Sequence, residues 1–168
     1  MTSALYAPID VILTRAETEW ARSVVLESRA SAQLAQPHCY KGNPLALDLI
    51  ETAAELALCK GLGIIWPAEI GTFKKPGAPH HIQIRTAPCK YRTIGPDFEA
   101  LIIRPDDNLR DYYCLIVSRP PLFQIKGWMQ GKETRQERWL REEACRPAAW
   151  FIPSRYLHKN FSMFWILW

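Results

Sequence analysis

No apolar run in this sequence approaches the roughly 18 residues that a membrane-spanning helix needs, which argues against a membrane protein. No C-x-x-C pair occurs either. The five cysteines, at positions 39, 59, 89, 114 and 145, are odd in number and far apart. That spacing argues against a disulfide scaffold or a structural zinc site and reads as reduced thiols. The opening "MTSALYAPID" lacks a basic start followed by an apolar block, so no secretory signal is expected and the reading is cytoplasmic. Internal repeats and low-complexity segments are absent too. Acidic residues are missing from one long stretch: there is none between Glu69 and Asp97, while Lys74, Lys75, Arg85, Lys90 and Arg92 add five positive charges.

What is present suits one compact domain. Of 168 residues 48% are apolar, with seven Trp, six Tyr and six Phe, enough for a real core. The net charge of +4 says little about partners, whereas the acid-free stretch has two readings. One is a phosphate-gripping surface, the other a mildly basic hairpin.

Thr14 with Glu17 reads as a capping box opening an amphipathic helix over about 15–34. Asn43 is a natural N-cap and Pro44 a natural first residue for a second helix, running to about Lys60 and stopped by Gly61 and Gly63. "GIIW", "HIQIRT", "ALIIR", "DYYCLIVS" and "FQIKGWM" are strand candidates. "PDDNLR" suits a single turn, and "KETRQERWLREEACR" reads as a charged, solvated helix ended by Pro147. The fold class expected is α/β or α+β, with a mixed, mostly antiparallel central sheet flanked by helices.

Two positions in this plan invite chemistry. In the second helix Glu51 and Glu55 fall on the arc of Leu47, Leu58 and Leu62. Carboxylates there mark either a solvated rim or a place where a metal or guanidinium lies opposite. In "HIQIRT" the alternation sends Ile82 and Ile84 to the core and puts Gln83 and Arg85 together on the other face. His80 and His81, adjacent on one strand, point to opposite faces, so only one would reach a site there.

The stretches "AELALCKGLGIIW" (54–66), "IQIRTA" (82–87), "LIIRPDDNLRDYYCLIV" (101–117), "FQIKGWMQGKETRQERWL" (123–140) and "RPAAWFIPSRYL" (146–157) occur in that order. The series resembles a family of short proteins encoded largely by bacteriophages, a divergent branch of the PD-(D/E)xK restriction-endonuclease-like superfamily. The resemblance covers about two thirds of the chain, leaving out the first 40 residues and the last ten. It implies a helical extension over 1–42 and a nuclease-like domain over 43–168, the two forming one unit. It also implies a helix glutamate at Glu55 and a Glu-x-Lys pair at Gln83 and Arg85, as the catalytic positions of the superfamily. The acid that many of these proteins carry just before the strand is missing from "KPGAPHH", and Glu69 is the nearest upstream carboxylate. An active site of this type would hold Mg²⁺ or Mn²⁺ through Glu55 and Glu69. A degenerate one would hold no metal. The residues favour degeneracy, because Gln83 offers a hard cation only a neutral carbonyl and Arg85 cannot take a proton from water. Arg85 then needs an anion, and Glu55 is the partner expected.

Two functions follow. The first is a nuclease, or a nuclease-derived module, gripping nucleic acid through Lys74, Lys75, Arg85, Lys90 and Arg92. The second is a protein-binding accessory factor, such as an inhibitor of a host defence complex or a virion component. Its supporting feature is the terminus "NFSMFWILW", whose Phe161, Phe164, Trp165 and Trp168 must bury somewhere: in this domain, in a partner or in a second copy.

Overall fold

A computed structural model describes residues 8–31, 43–70, 81–88, 99–143 and 146–164. In chain order these form strand β1 (Ile9–Ile12), helices α1 (Arg15–Ser31) and α2 (Pro44–Leu62), and strands β2 (Ile82–Pro88), β3 (Ala100–Ile103), β4 (Tyr112–Arg119) and β5 (Leu122–Gln130). The single-turn helix α3 (Gly131–Thr134), a 3-10 turn (Glu137–Trp139), strands β6 (Leu140–Glu143) and β7 (Arg146–Pro153), and a closing 3-10 turn (Ser154–Tyr156) complete them. The class is mixed α+β. Instead of one central sheet there are two, ordered β1-β5-β4-β2 and β3-β7-β6. Every pairing is antiparallel except β2 with β4.

The helix ends follow local chemistry. Thr14 Oγ1 accepts from Glu17 N–H (3.2 Å) and Glu17 Oε2 accepts from Thr14 N–H (2.6 Å), the reciprocal box read from the sequence. The Lys60 ammonium, 2.7 Å away, and the Thr14 N–H hold the Glu17 carboxyl below its usual range. Asn43 Oδ1 caps α2 by accepting from Leu45 N–H and Ala46 N–H, and Gly63 ends it at φ 67°. Along α2, Ala53, Ala54, Ala57 and Gly61 keep the helix close to the sheet. A Cβ on Gly61 would stand 2.8 Å from Ile125 Cδ1.

β4 shows how the layers stack. Its continuous apolar run is buried on both faces, as a strand between two layers requires. Cys114 and Ile116 face α1, α2 and β1, in one core with Val11, Leu58 and Phe123. Tyr113 and Leu115 face the second sheet, in a separate core with Leu101, Ile103, Trp139 and Ile152. In β5 a bulge inserts Lys126, because Leu115 pairs with Gly127 while Ile116 pairs with Ile125. One extra residue reverses the alternation. Phe123 and Ile125 therefore pack on the helix side, while Met129 reaches the inter-sheet core. Gly127 sits at this bulge with φ 141°, where a Cβ would collide with Leu157 Cβ at 2.7 Å.

Two expectations are corrected here, and one left open is decided for two of its residues. "GIIW" forms no strand: after the Gly63 cap Ile64 and Trp66 turn into the core and Ile65 turns out, 87% exposed, with no strand alongside among the described residues. The charged helix expected over 132–146 is reduced to α3 and a 3-10 turn, Glu137–Trp139. Trp139, at the end of that turn, buries in the inter-sheet core, and Leu140–Glu143 pairs with β7 instead. Tertiary packing overrides the helix propensity of its charged residues. Finally, Phe161 and Phe164 are fully buried in this chain's own helix-side core, so neither is available to a partner; Trp165 and Trp168 lie outside the described residues. Among the described residues no helix is long and apolar enough to cross a membrane.

Candidate functional site

The parallel pairing of β2 with β4 sets Gln83 beside Tyr113 and Arg85 beside Leu115. Both side chains therefore project toward the second sheet, while Ile82 and Ile84 project toward α2. The residues that meet them come from the turn "RPDDNLRD" (104–111), which links β3 to β4.

Asp111, only 3% exposed, is the centre of this cluster. Its Oδ1 accepts from His81 N–H (3.1 Å) and Asn108 Nδ2 (3.2 Å), and its Oδ2 accepts from Gln83 Nε2 (3.1 Å). Three N–H donors are what make a carboxylate tolerable at that depth. Two residues further along β2, the Arg85 guanidinium pairs with Asp107 Oδ1 at 2.5 Å and lies 5.4 Å from the Tyr113 ring centroid. Asp107 Oδ2 also accepts from Arg104 N–H (2.8 Å), which pins the turn to itself. The Tyr113 hydroxyl donates to Asn108 O (3.0 Å). Burial, followed by the Asp107 and Asp111 charges, pushes this hydroxyl up to about 12. The buried Nδ1 of His81 and Nε of Arg85 have no hydrogen-bond partner among the described residues.

The turn is held from behind as well. Arg135 donates to the carbonyls of Arg104, Pro105 and Asp107 at 2.9–3.2 Å while its guanidinium covers the Trp150 ring at 4.0 Å. Gly131 N–H and Lys132 N–H donate to Asp111 O and Leu109 O, both at 2.9 Å. Glycine is needed at 131, since a Cβ there would stand 2.6 Å from Asn108 O.

The expected Glu55–Arg85 pair does not form. α2 covers the Ile82 and Ile84 face, so the sheet itself separates the half-buried Glu55 from Arg85, and Asp107 takes the guanidinium instead. Glu55 acts elsewhere, its charge adding to burial in raising the Cys59 thiol to about 12. Glu51 is exposed at the helix rim. Glu69 lines an open cleft of about 410 Å³ with Val24, Glu27, Ser28, Ser31, Ala68 and Ile70, away from Gln83. Lys74, Lys75, His80, Lys90 and Arg92 lie outside the described residues. Asp107 and Asp111 are the residues that sequence reasoning missed. Their one local signal is three acids within six residues, Asp106, Asp107 and Asp111, in the turn before β4.

The donor set does not fit Mg²⁺ or Mn²⁺. Both Asp111 oxygens are engaged by N–H groups, Gln83 turns its amide NH₂ rather than its carbonyl toward Asp111, and Arg85 adds a fixed positive charge. The chain matches no family model, no curated protein and no solved structure.

A double-mutant cycle tests the pairing. Arg85→Ala and Asp107→Ala should each lower stability by about 1–3 kcal/mol in urea unfolding. The double variant should cost less than their sum, with a coupling of roughly 1–2 kcal/mol. The corresponding Glu55–Arg85 cycle should show no coupling. A reversal of those two couplings would reinstate Glu55 as the partner.

Proposed function

We propose that this chain is a phage-type, nuclease-like protein that binds nucleic acid and in which the superfamily's catalytic centre has become a structural cluster. The restriction-endonuclease-like core belongs to this proposal. What supports it is the succession of α2, then β2 with Gln83 and Arg85, then the parallel β4 in one sheet. The observation that carries the loss of catalysis is the Gln83–Asp111 hydrogen bond at 3.1 Å. A glutamate at 83 would face Asp111 as a second carboxylate, the arrangement that invites a hard cation. The amide turns that repulsion into an attraction. Arg85, closed onto Asp107, likewise holds a charge rather than activating a water. Phosphate contacts then fall to the other cations of the acid-free segment, Lys74, Lys75, Lys90 and Arg92.

The experiment is a binding and cleavage screen on single- and double-stranded DNA and RNA, with Mg²⁺, Mn²⁺ or EDTA. Binding should weaken steeply with salt, with a log–log slope of about −0.7 to −0.9 per phosphate contacted. A Lys74→Ala/Lys75→Ala variant should have a shallower slope, and no strand should be cut under any condition. Mn²⁺-dependent cleavage that Glu55→Ala abolishes would show a working nuclease. Absence of binding to every probe at about 50 mM salt would remove the nucleic-acid reading.

A further inference from the structure

Where β7 ends, the 3-10 turn Ser154–Tyr156 presents Tyr156 at the surface, 42% exposed although its ring packs on the buried Trp139 at 5.6 Å. Two guanidinium groups flank it. Arg138 lies 4.4 Å from the Trp139 centroid and 5.1 Å from that of Tyr156, and Arg155 lies 5.0 Å from Tyr156. Trp139, Arg138, Tyr156 and Arg155 thus form one contiguous aromatic–guanidinium array built from two separate segments.

Its chemistry is specific. A guanidinium stacked on a ring keeps its N–H donors in the guanidinium plane, at the edge, where a phosphate can take two of them. An exposed ring or guanidinium plane next to such an edge offers a surface on which an unpaired base stacks. A duplex keeps its bases stacked on one another and has none to offer. The sequence of this segment is basic as well: no Asp or Glu occurs after Glu143, whereas Arg146, Arg155 and Lys159 do.

We propose that the Arg138–Tyr156–Arg155 array is a binding site for single-stranded nucleic acid, Tyr156 stacking one base while the two arginines hold the adjoining phosphates. This rests on the nucleic-acid reading above and adds to it the strand type and a site distinct from the Gln83–Arg85 cluster.

The full chain is tested by fluorescence anisotropy with labelled single-stranded DNA and RNA of about 15 nucleotides and with the matching duplex. Single strands should bind more tightly than duplex and should quench tryptophan fluorescence. Tyr156→Ala should weaken single-strand binding by about ten-fold or more, and Tyr156→Phe should retain it. Because Tyr156 packs on Trp139, Tyr156→Leu keeps an apolar contact there and should show the same loss with the fold intact by circular dichroism. Arg138→Ala with Arg155→Ala should reduce the magnitude of the salt slope by about two. If the parent binds single strands but Tyr156→Leu and the double arginine variant bind as well as it does, the site is overturned while the binding reading stands. Preference for duplex overturns the single-strand site, because Tyr156 would then have no unpaired base to stack, while the binding reading stands. If the parent binds no probe, the binding reading itself falls and takes this site with it.

Discussion

Replacing Asp111 with alanine is expected to cost about 3–5 kcal/mol, among the largest effects a single substitution has. In a chain of this size that lowers Tm by on the order of 10 °C. The side chain is almost fully buried, yet it accepts from the His81 N–H and from the Gln83 and Asn108 amides. Alanine takes the acceptor from all three; exposed Asn108 can turn to water, but the His81 N–H and the Gln83 amide are part-buried, and each such loss costs about 1–3 kcal/mol. The damage would also spread, because the turn that positions Asp111 positions Asp107, and Asp107 holds Arg85. Asparagine should cost less: its Oδ1 can keep the His81 and Asn108 donors, while its NH₂ requires the Gln83 amide to turn over and accept. Urea unfolding of both variants checks this. A loss below about 1 kcal/mol for Asp111→Ala would mean that the cluster is not a structural centre.

How much of this was legible depended on how local each signal is. The Thr14–Glu17 box, Asn43–Pro44 and Gly63 act within a turn of the helix ends they set, and all three stand in the structure as read. The alternation in "HIQIRT" correctly put Gln83 and Arg85 on one face. It carried no information about which layer covers that face. The covering sheet comes from β3, β6 and β7, the last of these beginning 58 residues after β2 ends, at Arg146 against Pro88. Assigning the face to α2 led to Glu55, when the anions were waiting in the turn before β4. Asp111 stands beside Gln83 only because β2 and β4 pair in parallel, and nothing near either residue encodes that pairing. The failed helix over 132–146 has the same origin. Its interleaved charges suit a solvated helix, and the one residue that decides otherwise, Trp139, does so through a core assembled from distant strands.

The substitution Gln83→Glu asks whether the site is one atom away from holding a divalent cation. It exchanges the amide nitrogen now 3.1 Å from Asp111 Oδ2 for an oxygen, setting two carboxylates face to face. At about 4 Å and an effective dielectric of 20, two like charges repel by roughly 4 kcal/mol, so at neutral pH the variant should be less stable than the parent by about 3–4 kcal/mol. The pH dependence has a definite sign. The Asp111 charge raises the new carboxyl's pKa in the folded state above its unfolded value, so the native state binds the extra proton more readily. The deficit should therefore be full above the raised folded pKa, shrink as pH falls through it, and vanish below the unfolded value. A divalent cation should do the same work at neutral pH, by lying between the two carboxylates. Mn²⁺ should raise the Tm of Gln83→Glu and leave the parent unchanged, because in the parent the amide NH₂ occupies that side of Asp111. Thermal unfolding with and without Mn²⁺, at neutral and at mildly acidic pH, reads all three effects. A parent that responds to Mn²⁺ as the variant does would show that Gln83 had not closed the site to metal.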